Sequence, residues 1–144
     1  MNLFLTRKSL EKIVALVSDA VEKNCLEKTG RFGKGVCGTA CQILKQQLEL
    51  KGVSSKELGI VHANFDHWVL KVATPFSEFV VDPTVGQFFP KGYDVPKIFV
   101  GTKREYLDLH RDKNSTFSMS FIYKSMISVK RGLSTPYQDW HRHL

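Results

Sequence analysis

Leu10, Ile13, Val14, Val17, Ala20 and Val21 recur at three- and four-residue steps within residues 9–23, the stripe of an amphipathic helix. Ser9 can cap its start and Asn24 can end it. A second stripe, Cys37, Cys41, Leu44 and Leu48, follows i, i+4, i+7, i+11 spacing and runs to a glycine stop at Gly52. Lys45, Gln46, Glu49 and Lys51 then fall mostly on wet faces. Such a helix of about 14 residues spans roughly 21 Å, enough to cross a small domain. Between the two stripes, residues 25–36 read as a loop in which Gly30, Gly33 and Gly35 permit unusual backbone angles just before Cys37.

The period changes after Gly52. Leu58 to Phe65 alternates as a strand does, and His67 to Val72 and Glu78 to Asp82 make two more. If Ala73-Thr74-Pro75-Phe76 is a four-residue hairpin loop, Leu70 pairs with Phe79 and Trp68 with Val81 on one face. The other face then pairs Lys71 with Glu78, Val69 with Val80, and His67 with Asp82. Each face is chemically consistent, which favours that register. Beyond Pro83-Thr84 the chain loops through Gly86, Pro90, Gly92 and Pro96; Lys97 to Val100 suits another strand, and Thr102 caps a short polar helix to about His110. Residues 115–131 fit neither period well and read as a strand followed by a helix. The end, from Tyr137 to Leu144, is exposed or docks by Trp140, with His141 and His143 in a solvated tail.

The 144 residues suffice for one domain with a real core: residues 33–84 as its centre, helix 9–23 before it and residues 85–144 as a C-terminal extension. No apolar run approaches the roughly 20 residues that cross a bilayer, and the N-terminus lacks an export pattern. The expectation is therefore a cytoplasmic protein without membrane contact, or a domain delivered into a target cell as part of something larger. Three cysteines, two of them one helical turn apart, argue for free thiols in a reducing compartment. The net charge of +7 favours acidic partners, nucleic acid among them, but the basic residues are dispersed and form no arginine-rich run.

Cys37 is the residue whose chemistry the pattern tunes. At a helix N-terminus a thiol meets about half a positive charge, which favours the thiolate. A thiol nucleophile needs a base, and the base needs a group that fixes its tautomer. Cys37 on a helix, His67 at a strand start and Asp82 opposite it supply those roles in that order. Cys41, one turn inside the helix, is the rival nucleophile, and Asp66 the rival for Asp82. Cys37, Cys41, His62 and His67 have two tolerable zinc spacings, but the gap between the pairs exceeds that of a finger and His62 falls on a different strand. No metal or cofactor is expected.

The run Gly35-Val36-Cys37, Leu48, Gly52-Val53, His67-Trp68 and Val80-Val81-Asp82-Pro83-Thr84 resembles the core of the papain-like and transglutaminase-like cysteine superfamily, and within it small bacterial papain-fold toxins and effectors. The resemblance implies an α+β fold with the nucleophile helix packed on an antiparallel sheet. It implies catalysis by Cys37, His67 and Asp82 on an amide of a protein substrate, by glutamine deamidation or proteolysis ahead of cross-linking. An immunity or inhibitor protein is a compatible partner. His67 and Trp68 are adjacent where the family often has a residue between them. The papain-type glutamine before the nucleophile is missing from Thr29-Gly30-Arg31-Phe32-Gly33-Lys34-Gly35, leaving the Cys37 amide as the oxyanion candidate. The alternative of another class is a toxin ribonuclease acting on RNA such as tRNA, held through residues such as Lys103, Arg104, Lys130 and Arg131.

Overall fold

The computed structural model describes residues 2–33, 35–62, 65–89, 92–112, 127–130 and 138–139, with side chains described except at 60–66 and beyond 110. Helix α1 (Arg7–Thr29) is longer at both ends than the stripe predicts. Its N-cap is Thr6, in a reciprocal capping box with Ser9, so Ser9 is the third helical residue rather than the cap. Asn24 does not end it because Cys25 continues the buried stripe; Gly30 does, with φ 77° and its amide donating to the Leu26 carbonyl. The segment read as loop from Cys25 is thus helical to Thr29. Helix α2 (Cys37–Leu50) matches its prediction, with Cys41, Leu44 and Leu48 fully buried.

Strands β1 (Lys56–His62), β2 (Phe65–Ala73), β3 (Glu78–Asp82), β4 (Phe99–Thr102), β5 (Ile127–Lys130) and β6 (Gln138–Asp139) form one sheet in the order β4-β3-β2-β1-β5-β6. Every pairing is antiparallel. A turn of 3₁₀ helix (Val85–Phe88) follows β3, and helix α3 (Lys103–Asp112) follows β4, with Thr102 Oγ1 accepting from the Glu105 amide as a cap. Ile127–Lys130 pairs with β1 as a strand, not the helix suggested there. The strand read at Phe117–Tyr123 and the docking of Trp140 lie outside the described residues.

The β2–β3 register differs from the expected one by two residues: Leu70 faces Val81, Val72 faces Phe79, and Ala73 faces Glu78. The loop is Thr74 to Ser77, closed by the Thr74 amide and hydroxyl, both donating to the Ser77 carbonyl. An even shift leaves every side chain on its expected face. Leu70, Val72, Phe79 and Val81 pack against α1 and α2 in one core. Val69 and Val80 pack on the other face with Val85, Phe88, Phe99, Tyr106 and Leu107. Both faces of the central strands are therefore covered, and α3 is amphipathic rather than simply polar.

Trp68 packs partly buried against the helical core, and its ring lies over Gly59 on the neighbouring strand. A Cβ at Gly59 would come within 3.1 Å of that ring. Gly59→Val is expected to cost about 1–3 kcal/mol through this overpacking. An unchanged midpoint in denaturant unfolding would show that the ring yields freely.

Candidate active site

Cys37 is the first residue of α2, behind a glycine-rich approach in which Gly33 and Gly35 both have positive φ. Val36 caps the helix without a side-chain hydrogen bond, so no side chain competes for the first-turn amides. The half-buried thiol is hydrogen-bonded by the His67 side chain and by the backbone of Trp68 and Gly38. Helix α2 packs across β2, which brings its first turn to the start of that strand.

His67 and Asp82 share the face opposite the two long helices. In the observed register they are diagonal neighbours rather than direct partners, yet His67 Nε2 lies 2.8 Å from Asp82 Oδ2 with both side chains buried. Diagonal reach suits a long side chain such as histidine. Two further donors hold Asp82: Tyr106 donates its hydroxyl to Oδ2 at 2.8 Å, and the Thr84 amide donates to Oδ1 at 2.9 Å. Pro83-Thr84 thus does more than end a strand, since it turns the chain so that the carboxylate caps its own successor.

Residues beyond 84 complete the arrangement. Gln87 Nε2 donates to Thr84 Oγ1 at 2.9 Å and lies 3.3 Å from His67 Nδ1. Phe88 meets the imidazole edge-on, with ring centroids 4.6 Å apart. Tyr106 and the buried His110 form the far wall, themselves edge-to-face at 4.6 Å. Sequence reasoning missed all four. The Tyr106, Leu107, His110 spacing was the legible sign that α3 has a buried stripe.

The electrostatics follow from this packing. Burial pushes the Cys37 thiol up, but the hydrogen bond and charge of His67, with the backbone of Trp68 and Gly38, more than reverse it and the pKa is lowered. Burial pushes His67 down, and the charge and hydrogen bond of Asp82, with those of Cys37, raise it from 6.5 to about 9. Burial likewise pushes Asp82 up, whereas His67, the Thr84 amide and the Tyr106 hydroxyl hold it below its ordinary value. Burial, then the charge of Asp82, raises Tyr106 well above the ordinary phenol, so it remains a donor. His110 is pushed down by burial to about 4 and stays neutral. The three shifts at Cys37, His67 and Asp82 run the same way, each toward the charged form of its group.

Cys41 is fully buried and its thiol donates to the Trp68 carbonyl at 3.2 Å. The side chains of Asp66 and His62 lie outside the described residues, among which no group of three or more histidine, cysteine, aspartate or glutamate residues could hold a metal ion. Cys25 is fully buried. Iodoacetamide at neutral pH is therefore expected to label Cys37 at least tenfold faster than Cys25 or Cys41, read by peptide mass. Equal rates would remove the case for an activated thiol.

No family model and no curated protein matches the chain. Among solved structures it is similar to the C-terminal region of Pasteurella multocida toxin, described as having a thiol-protease-like catalytic triad. The TM-score is 0.50 and the identity 17%, over 70% of this chain and 15% of the toxin chain. At that identity the likeness speaks to architecture: the chain has an α+β, papain-like fold. Among the described residues no helix is long and apolar enough to cross a membrane.

Proposed function

We propose that the chain is a cysteine-dependent amide hydrolase acting on protein substrates, a glutamine deamidase or protease of the toxin or effector kind. The observation that carries this reading is the continuous line from the Cys37 thiol through the His67 imidazole to the buried Asp82 carboxylate. Cys37 is the nucleophile, His67 the acid and base, and Asp82 the group that holds the imidazole and its charge.

The thiolate adds to the amide carbonyl, forming a carbon–sulfur bond as the π electrons move to oxygen. The oxyanion is assigned to the Cys37 amide, with Gln87 Nε2, 3.3 Å from His67 Nδ1, as a second donor. Collapse breaks the carbon–nitrogen bond, and His67 gives its proton to the leaving amine. Water then attacks the thioester, losing a proton to His67, and the carbon–sulfur bond breaks. A glutamine side chain would leave as ammonia and glutamate; a backbone amide would leave a new terminus.

Peptide mapping of a target-cell lysate, treated with the wild-type chain or with Cys37→Ala, tests this. The expected result is a Cys37-dependent amide-to-acid mass increment at a glutamine, or a new peptide terminus. Cut RNA with no altered protein would favour the ribonuclease alternative. The burial of His67 beside a thiol and a carboxylate, rather than beside cations, weighs against that alternative.

A further inference from the structure

Arg31 stands on the approach to the nucleophile, and its backbone is pinned there. Its carbonyl accepts from the Thr29 hydroxyl at 2.8 Å and from the fully buried Cys25 thiol at 3.5 Å, while its amide donates to Thr29 Oγ1 at 3.3 Å. Phe32, next along, packs against the helical core. Arg31 itself is exposed. Among the described residues the bonds that hold this loop come from Thr29, Cys25 and the backbone, so the guanidinium is not needed to close it.

The guanidinium lies instead over Gly35. A Cβ built on that glycine would meet Arg31 Nη2 at 3.4 Å and Cζ at 3.5 Å. Gly35 has φ 84°, so the backbone disfavours any other residue there, and a longer side chain would also displace the arginine. Adding a Cα–Cβ bond sets the guanidinium about 5 Å from the Gly35 Cα, and two residues of chain span at most about 7 Å to the Cys37 Cα. The cation therefore stands within roughly 12 Å of the nucleophile's backbone, a reach of about three residues of extended peptide. In sequence, residues 28–48 hold Lys28, Arg31, Lys34 and Lys45 and no aspartate or glutamate. The approach to Cys37 and most of α2 thus carry positive charge only.

We propose that Arg31 selects substrates bearing an aspartate or glutamate within about three residues of the attacked amide. The inference rests on the hydrolase reading of Cys37 and names the substrate class within it. A guanidinium offers its donors as a planar fork that fits the two oxygens of a carboxylate. The pinned backbone lowers the ordering cost of meeting one. At an exposed arginine the discrimination is modest, about fivefold, the upper end for a surface ion pair.

Peptide alkylators test this. Each carries an iodoacetyl group on the side chain of a central diaminopropionate, in place of a glutamine side chain, and a single aspartate or asparagine at one flanking position on either side. The Cys37 thiolate forms a carbon–sulfur bond as iodide leaves, so the rate reports recognition beside Cys37 without amide turnover. Dividing by the iodoacetamide rate of the same variant cancels changes in the thiol itself. At the favoured position the wild-type chain is expected to react about fivefold faster with aspartate than with asparagine. The ratio should fall to near one in Arg31→Gln, be largely retained in Arg31→Lys and drop below one in Arg31→Glu. Lys97→Gln alters a lysine paired with Asp19 and Glu22 elsewhere on the surface, and should leave the ratio at its wild-type value. A wild-type ratio near one at every position, or a preference for aspartate that survives in Arg31→Glu, would overturn the proposal. Selection of the carboxylate without any Cys37-dependent change in the lysate would sink the hydrolase reading and leave the Arg31 contact standing. The reverse pattern overturns the contact alone.

Discussion

Cys37→Ser is expected to lower turnover on the order of 10⁶-fold, the size of effect seen when a nucleophile is removed from a catalytic triad. The exchange is nearly isosteric and the site half-buried, so the melting transition should move little. What changes is acidity. The Cys37 thiol is held below its ordinary pKa by His67 and the backbone of Trp68 and Gly38, and none of these brings a serine hydroxyl near ionisation at neutral pH. His67 in turn loses the hydrogen bond and charge of the thiolate that help to raise it. Turnover of the substrate found by peptide mapping gives the answer. Activity that survives in Cys37→Ser but falls in Cys41→Ser would move the nucleophile one helical turn inward.

The site was legible wherever local periodicity determined geometry. The stripe Cys37, Cys41, Leu44, Leu48 requires a helix that begins at Cys37, and the alternation in His67–Val72 and Glu78–Asp82 requires His67 and Asp82 on one face. The exact pairing was not legible. Hairpin register depends on turn chemistry, and the Thr74 hydroxyl, which binds the Ser77 carbonyl and accepts from the Ser77 amide, moves the loop one residue along from the one read. The His67–Asp82 contact survives because a two-residue slip preserves faces and the imidazole reaches across the diagonal.

The ends of α1 show a different limit. A hydrophobic stripe marks the buried face, but the capping groups decide where the helix stops, and Thr6 and Gly30 were both present in the sequence. Tyr106 and Gln87 show a third. Their role depends on which face of the sheet α3 and the 3₁₀ turn cover, a tertiary choice that periodicity within residues 85–112 does not contain.

Asp82→Asn is expected to lower turnover on the order of 10²–10³-fold and to narrow the pH range from its alkaline side. Three donors, from His67, Thr84 and Tyr106, converge on the two oxygens of this buried carboxylate. An amide replaces one acceptor with a donor, so at least one of the three is left facing another donor, at a cost of about 1–3 kcal/mol. The variant should therefore fold with a lower melting point rather than an unchanged one. Removing the carboxylate also removes the main influence that raises His67 from 6.5 to about 9. A raised histidine contributes stability that is full below pH 6.5 and is lost as pH rises through about 9, so in the variant the contribution is smaller and its loss is complete at lower pH. The alkaline limb of activity should shift down with it, because the leaving amine takes its proton from the imidazolium. Tyr106→Phe separates the two effects: it removes one donor but keeps the charge, so it should leave the alkaline limb near its wild-type position. If Asp82→Asn keeps full turnover and an unmoved alkaline limb, the carboxylate only anchors the turn at Pro83-Thr84, and the imidazole must draw its charge stabilisation from Cys37 alone.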